Sequence, residues 1–386
     1  MSLQYLKIED FCSTGSGGTP SKSKPEYYEG GDIPWIKSGD LKDSTIYDAN
    51  EYITVAGLEN SSAKMVEKDS ILIAMYGATV GRLAILGINA ATNQAICNIR
   101  PDTTIADMKY LYYFLKSKFS YFVENAVGGA QPNISQGLIK SLEVPLPSLI
   151  EQKRIADILD KAADIRQKRE QAIKLADNFL RTTFATMYGN PITNPKKWPV
   201  HLMGEIIEFK GGNQPPKSDF IFEPKQGYIR LVQIRDFKSD KYATYIPQEK
   251  AKRIFEVDDV MIARYGPPVF QILRGLSGSY NVALMKASPK ENIRKGFIFY
   301  LLQLPEYHDV VVKNSERTAG QTGVNLELLN KFNVPLPPIY YQDEILARLA
   351  KIEKIKEKIE ISSNYLETQF LSLQKRLMDF KPFISK

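Results

Sequence analysis

Val144-Pro145-Leu146-Pro147 is followed by a stretch free of Gly and Pro, Glu151 to Tyr188, and Val334-Pro335-Leu336-Pro337 by a second, Tyr341 to Lys381. A Pro-Leu-Pro stop before some forty unbroken residues predicts a strand end and then a long helix. The two copies are not isolated. Gln131 to Leu159 lies over Gln321 to Leu349 at a constant offset of 190, with nine of 29 positions identical. Upstream, Ile71-Leu72-Ile73-Ala74-Met75-Tyr76-Gly77 lies over Val260-Met261-Ile262-Ala263-Arg264-Tyr265-Gly266 at 189, Asn93 over Asn281 at 188, and Asp40-Leu41 over Asp236-Phe237 at 196. Offsets that drift this little mean one unit present twice, with insertions in its loops, and a period this long is a duplicated domain.

Before each stop lies a region rich in Gly, Pro, Asn and Tyr with short β-branched apolar runs, which predicts strands with a few short helices. After it, the second long segment carries Ile345, Ile352, Ile359, Leu366, Leu373 and Phe380 seven apart, with Leu349, Phe370 and Leu377 on the companion seam. That is a coiled-coil pattern. The first is less regular, offering Ile155, Ile158, Leu159, Ala162, Ile165, Ala172, Ile173, Ala176, Phe179 and Leu180. Helices of roughly 55 to 60 Å are too long to lie on a domain of this size, so they are expected to bury their stripes on each other. The fold class expected is α+β: two β-rich domains, 1–150 and 191–340, related by internal repeat and pseudo-two-fold symmetry. Two long antiparallel coiled-coil helices, 151–190 and 341–386, separate them.

The chain has 386 residues and a formal charge of +7, distributed unevenly. Residues 1–150 carry 13 Lys and Arg against 16 Asp and Glu, whereas residues 188–340 carry 21 against 15. Charge therefore supports an anionic partner chiefly for the second half. Two cysteines, Cys12 and Cys97, make no disulfide framework, and two histidines, His201 and His308, leave little for a His-rich metal centre or a nucleophile with its own imidazole. Met1 to Lys7 has neither the basic nor the apolar run of a signal peptide. Ile71 to Ala91 approaches the length of a membrane span, but Tyr76, Thr79, Arg82 and its glycines divide it into two core strands joined by turns. A cytoplasmic chain without membrane contact is expected.

No Gly-x-x-x-x-Gly-Lys-Ser/Thr loop occurs, and Gly15-Ser16-Gly17-Gly18 runs into Thr19-Pro20 where no helix opens. Asp102 with Glu151 and Lys153 has the residue types of a metal nuclease, yet the spacing is long and the repeat places Tyr341 and Asp343 there. No catalytic, metal or cofactor site is assigned. Binding residues, by contrast, are plentiful. DNA readout needs donors and acceptors on loops that reach base edges, with cations for phosphates. The first half offers Ser21, Lys22, Lys24, Tyr27, Lys37, Ser38, Tyr76, Thr79, Arg82, Asn93, Gln94 and Gln131. The second offers Asn213, Gln214, Lys217, Gln233, Arg235, Arg264, Tyr265, Arg274, Tyr280, Asn281, Arg317 and Gln321. Ser135 and Asn325 precede apolar-periodic segments and are expected to be helix N-caps.

Gly17-Gly18-Thr19-Pro20-Ser21, Ile33-Pro34-Trp35-Ile36 with Gly39-Asp40-Leu41, Ala74-x-Tyr76-Gly77, Asn93-Gln94, and Val144-Pro145-Leu146-Pro147 with Glu151-Gln152 resemble the specificity subunit of type I restriction-modification enzymes. The second half matches more loosely through Gly211-Gly212, Tyr265-Gly266, Tyr280-Asn281 and Val334-Pro335-Leu336-Pro337 with Gln342, while the Ile-Pro-Trp-Ile block is lost. The resemblance implies two target-recognition domains, each for one half of a bipartite site in double-stranded DNA, and helices that set the gap and dock methyltransferase subunits. A restriction or translocase subunit is a further partner it allows. S-adenosylmethionine, ATP and Mg would then be used by the partner subunits, with none bound by this non-catalytic chain. The alternative from another class is a coiled-coil scaffold that binds proteins and no DNA, for which the acidic first half is the best support.

Overall fold

The computed structural model describes residues 3–129, 131–266, 268–315 and 323–378. The chain divides into two compact units, residues 1–170 with 362–386, and residues 171–361. Each contains one copy of the repeat and parts of both long helices.

Among its described residues the first unit holds eleven strands: β1 (Gln4–Lys7), β2 (Cys12–Ser16), β3 (Ile33–Ile36), β4 (Thr45–Ile46), β5 (Glu51–Ile53), β6 (Met65–Val66), β7 (Ile71–Ala74), β8 (Leu83–Leu86), β9 (Ala90–Thr92), β10 (Ile96–Pro101) and β11 (Glu143–Leu146). They form three sheets, ordered β2-β10-β7-β8-β4, β5-β3-β9-β6 and β1-β11. The second unit holds β12 (Val200–Leu202), β13 (Ile207–Gly211), β14 (Tyr228–Val232), β15 (Tyr245–Pro247), β16 (Ile254–Phe255), β17 (Val260–Ala263), β18 (Ile272–Leu273), β19 (Gly278–Tyr280), β20 (Leu284–Pro289) and β21 (Asn333–Pro335). Its sheets run β13-β20-β17-β18, β15-β14-β19-β16 and β12-β21. The repeat therefore holds strand for strand, apart from β4. Ile71–Ala91 is a pair of antiparallel strands, β7 with β8, followed by β9. All four residues of β7 and of β8 are buried, as expected of strands covered on both faces.

The first long helix runs Leu149–Tyr188 and the second Ile339–Met378, each about 60 Å at 1.5 Å per residue. They begin two residues before the expected Glu151 and Tyr341, because the carbonyls of Ser148 and Pro338 already accept from the amides of Gln152 and Gln342. In the second unit Lys356 meets Asp177 at 2.6 Å and the Tyr341 hydroxyl reaches the Met187 carbonyl at 3.0 Å. As one helix advances the other recedes, so they pair antiparallel. Within the first unit Arg166 forms a two-pronged pair with Glu367 at 3.0 and 3.3 Å.

The heptad seam of the second helix is only partly a helix-to-helix seam. Ile345 and Leu349 are buried in the core of the second unit, whereas Phe370 and Met378 are buried in that of the first. On the first helix Leu180, Phe184 and Tyr188 pack in the second core. Ile165 and Phe179, counted in the stripe from sequence, are 48% and 60% exposed. The intermediate exposure of Ala162, Arg166, Arg169, Ile173 and Ala176 follows three- and four-residue steps that leave both residues on the outer face. Phe380 lies outside the described residues. No helix among those described is long and apolar enough to cross a membrane.

Each head is tied to the helix that follows it by the same polar residue. The Gln152 amide donates to the carbonyls of Pro147 (2.9 Å) and Ile105 (3.0 Å) and accepts from the Asp107 amide (2.8 Å). Gln342 donates to Pro337 (2.9 Å) and Asn292 (2.8 Å) and accepts from Arg294 N (2.9 Å). Both side chains are buried and every polar atom is satisfied, the condition under which a buried amide is tolerated.

Candidate nucleic-acid interface

In each head one parallel strand pair gathers the polar residues onto a single rim. β3 runs parallel to β9 with Ile36 opposite Thr92, so Lys37-Ser38 and Asn93-Gln94 leave the sheet at the same end. The Asn93 amide donates to the Ile36 carbonyl at 3.0 Å, fixing the two exits side by side. β7 ends beside them: the Met75 amide bonds the Ala95 carbonyl at 2.7 Å, and Tyr76 follows, 40% exposed. The loop of Gln131 to Asn133 closes the rim, since the Gly77 amide bonds Pro132 O at 2.8 Å and Tyr76 bridges Asn133. Gly18 N bonds Thr92 O at 2.9 Å, and the Thr19 hydroxyl donates to the Gln94 side chain. Gly17 permits this approach, because a Cβ there would sit 1.8 Å from Thr92 O.

The second head repeats the construction. β14 runs parallel to β19 with Val232 opposite Tyr280, which brings Gln233 to Arg235 beside Asn281. Asn281 N bonds Val232 O at 3.2 Å, Arg264 N bonds Ala283 O at 2.9 Å, Val324 N bonds Arg264 O at 3.1 Å, and Tyr265 bridges Gly323. Asn213 N bonds Tyr280 O at 3.1 Å, and Gly212 is again obligatory, its Cβ falling 1.9 Å from Asn281 O.

The sequence-predicted residues divide sharply within this frame. Ser21, Lys22, Arg82, Gln94, Gln131 and Gln214 are exposed on loops, and Lys217 is exposed on a short 3₁₀ turn. The Thr79 hydroxyl is spent on Tyr76 O at 3.2 Å. Lys24 donates to the Tyr27 hydroxyl at 2.9 Å, which raises the Lys24 pKa. Lys37 is paired with Glu51 and lies 5.9 Å over the Trp35 ring. Tyr27 and Tyr280 are buried, at 6% and 1% exposure. Tyr280 sits edge-on to Phe255 with its hydroxyl donating to Lys210 O at 3.2 Å, so both tyrosines are packing residues as placed. Asn281 is spent on its own turn, its oxygen accepting from Ala283 N at 3.2 Å. Arg274 is taken up by other partners: it pairs with Glu353 of the second long helix and lies 3.9 Å over the Phe299 ring. Arg317 and Gln321 lie outside the described residues.

The structure also gives a role to an acidic residue that the sequence offered only as a repeat marker and, in the first half, as part of the family resemblance. Asp40 accepts from Lys37 N, and Asp236 from Gln233 N, both at 2.8 Å, closing identical turns three residues after the strand exit. The three-residue spacing to a polar residue at a strand end is the signal that could have found them. Asp236 is buried, which pushes its carboxyl above the usual carboxylate range; Arg230 lies 4.0 Å from it and 2.7 Å from Asp240. Ser135 and Asn325 cap the short helices that follow the rim, Ser135 accepting from Leu138 N at 3.0 Å and Asn325 from Leu328 N at 3.1 Å.

Comparison with known proteins agrees with the duplicated construction. The family model of the type I restriction modification DNA specificity domain matches residues 3–175 and again 195–364. The specificity subunit of type I restriction enzyme MjaIX from Methanocaldococcus jannaschii is 29% identical over 246 residues, 58% of this chain and 56% of that one. The aligned stretch thus spans just over half of that relative. The MjaVIII specificity subunit of the same organism is 20% identical over 411 residues, 97% of this chain and 91% of its own. In fold, the crystal structure of a type I restriction-modification system S subunit from M. genitalium matches with a TM-score of 0.57 and 16% identity, over 100% of this chain and 97% of that one. With nearly its whole length taken up by two copies of one domain, the chain belongs to the type I restriction-modification DNA specificity family.

Proposed function

We propose that this chain is the DNA-reading subunit of a type I restriction-modification complex. Each rim addresses one half of a bipartite site in double-stranded DNA. The long helices set the unread gap and dock methyltransferase subunits, and a restriction or translocase subunit joins in the restricting form. The chemistry, with S-adenosylmethionine, ATP and Mg, belongs to those partners, and the assembly works in the cytoplasm. The observation that carries this reading is the parallel strand pair in each head, around which five separate segments meet at one edge under the same backbone frame. A common frame with different side chains is what two readers of different half-sites require.

The test is electrophoretic mobility of the full chain on random duplex DNA, with and without a purified methyltransferase subunit, followed by sequencing of the retained duplexes. A retained pool enriched in two short blocks at a fixed separation supports the reading. Duplexes left unbound while the methyltransferase subunit is captured would favour the coiled-coil scaffold.

A further inference from the structure

The two heads differ most informatively at one equivalent backbone position. Met75 and Arg264 occupy the same place, each donating its amide across the rim, to Ala95 O and Ala283 O, and each accepting at its carbonyl, from Ile134 N and Val324 N. Met75 is buried and apolar. Arg264 is half-buried, and its guanidinium makes no hydrogen bond or ion pair to any described residue, with Nε shielded from solvent and unpartnered. Four other arginines of this unit have a charged or carbonyl partner, Arg230 with Asp240, Arg235 with the Tyr242 carbonyl, Arg274 with Glu353 and Arg294 with Asp343, although Arg230 also keeps a shielded Nε without a hydrogen bond.

Nη1 and Nη2 of Arg264 are not among the shielded atoms, so the donors at the open end of the fork are free to take an acceptor from outside. Its orientation is also set in advance. The guanidinium lies 5.1 Å from the Tyr265 ring centre, and Gly211 leaves room beside it, since a Cβ there would lie 3.1 Å from Nη1. An exposed lysine can follow a phosphate wherever it falls; a half-buried planar fork held against Tyr265 and Gly211 suits two coplanar acceptors at one fixed place. Guanine O6 and N7 in the major groove are such a pair.

We propose that Arg264 is the specificity-determining residue of the second head and reads a guanine through O6 and N7, a contact that the first head, with Met75, does not make. This rests on the DNA-reading function proposed above. The test uses the full-length chain, selection from a random duplex pool, and then the selected duplex with 7-deazaguanine at each guanine in turn, which removes N7 but keeps base pairing.

The expected result is one guanine, in one block only, whose 7-deaza replacement weakens wild-type binding at least about fivefold, within the range of about 5- to 150-fold for a bidentate base contact. Arg264→Gln should lose preference at that one position, be indifferent to the 7-deaza base there, and keep the other block. Uniform weakening on all duplexes with a shallower salt dependence would show a phosphate contact and overturn the proposal. So would a wild-type chain insensitive to every 7-deaza substitution, a measurement that does not depend on the variant folding. If the wild type enriches no blocks at all, the DNA-reading function itself fails; if it enriches two and Arg264→Gln enriches the same two unchanged, only the assignment of Arg264 fails.

Discussion

Replacing Gln342 with alanine removes three hydrogen bonds at once and strands their partners in the interior: the carbonyls of Pro337 and Asn292 and the amide of Arg294. A net loss of about 0.5 to 1.5 kcal/mol per bond, rising where the orphaned group stays buried, puts the cost at about 3 to 5 kcal/mol. The chain carries its own reporters, because its two tryptophans fall in different units: Trp35 in the first and Trp198 in the second, 5.2 Å from Tyr341. Urea unfolding is followed by fluorescence in Trp198→Phe and Trp35→Phe backgrounds, which isolates each unit in turn. Gln342→Ala should shift the transition reported by Trp198 and leave that reported by Trp35 in place, and Gln152→Ala should do the reverse. A loss below about 1 kcal/mol, the value of a single ordinary hydrogen bond, would refute the view that this amide clamps head to helix. Equal shifts of both transitions by either variant would refute the assignment of each clamp to its own unit.

Further expectations concern charge, pH and length. Lys217→Ala, at the exposed start of a short 3₁₀ turn (Lys217–Asp219) with no side-chain partner among the described residues, should weaken all duplexes alike and reduce the log-log salt slope of binding by about 1, measured by titration at several salt concentrations. The raised pKa of buried Asp236 means that its protonation favours the folded state. Its contribution is therefore fully present below the ordinary carboxylate pKa and lost as pH rises through the raised one. Asp236→Asn should flatten that decline in the Trp198-reported urea midpoint as pH rises above the ordinary carboxylate pKa, and an unchanged pH profile would count against it. Four residues inserted near the end of the first long helix add about 6 Å. They should lengthen the gap between the two blocks in the methylome of a host carrying the active variant and leave both blocks intact; an unaltered gap would sink the role of the helix as a spacer.

The repeat, the two long helices and the N-caps Ser135 and Asn325 were legible because each is a local pattern: an offset, a stretch without breakers, a polar residue before an apolar period. The membership of the rim was not. It is made by parallel pairs such as Trp35 with Ala91 and Leu231 with Ser279, and strands of three to five residues carry too little periodicity to announce partners that far away. For the same reason composition alone placed Tyr27, Tyr280 and Arg274 among DNA contacts. A tyrosine in a polar loop and a tyrosine in a core differ only in what packs against them, and the partner of Arg274 lies on a helix 79 residues on. Gln152 and Gln342 stood in the sequence as a motif, but nothing local showed that both amides face inward.

The two-stranded ladder that joins the sequence ends of each head has a consequence for how the chain is made. β1 pairs with β11, Gln4 against Leu146, and β12 with β21, Leu202 against Asn333. At about 5 to 20 residues per second, the ribosome needs on the order of ten seconds between delivering one edge of such a ladder and delivering the other. Through that interval the newborn head holds an open strand edge, and its long-range parallel pairs close slowly even once complete. Each head is thus most exposed to proteolysis and to mispairing with a neighbouring nascent chain just before its Val-Pro-Leu-Pro segment emerges. The segment that ends the domain in sequence is also the one that seals it during synthesis.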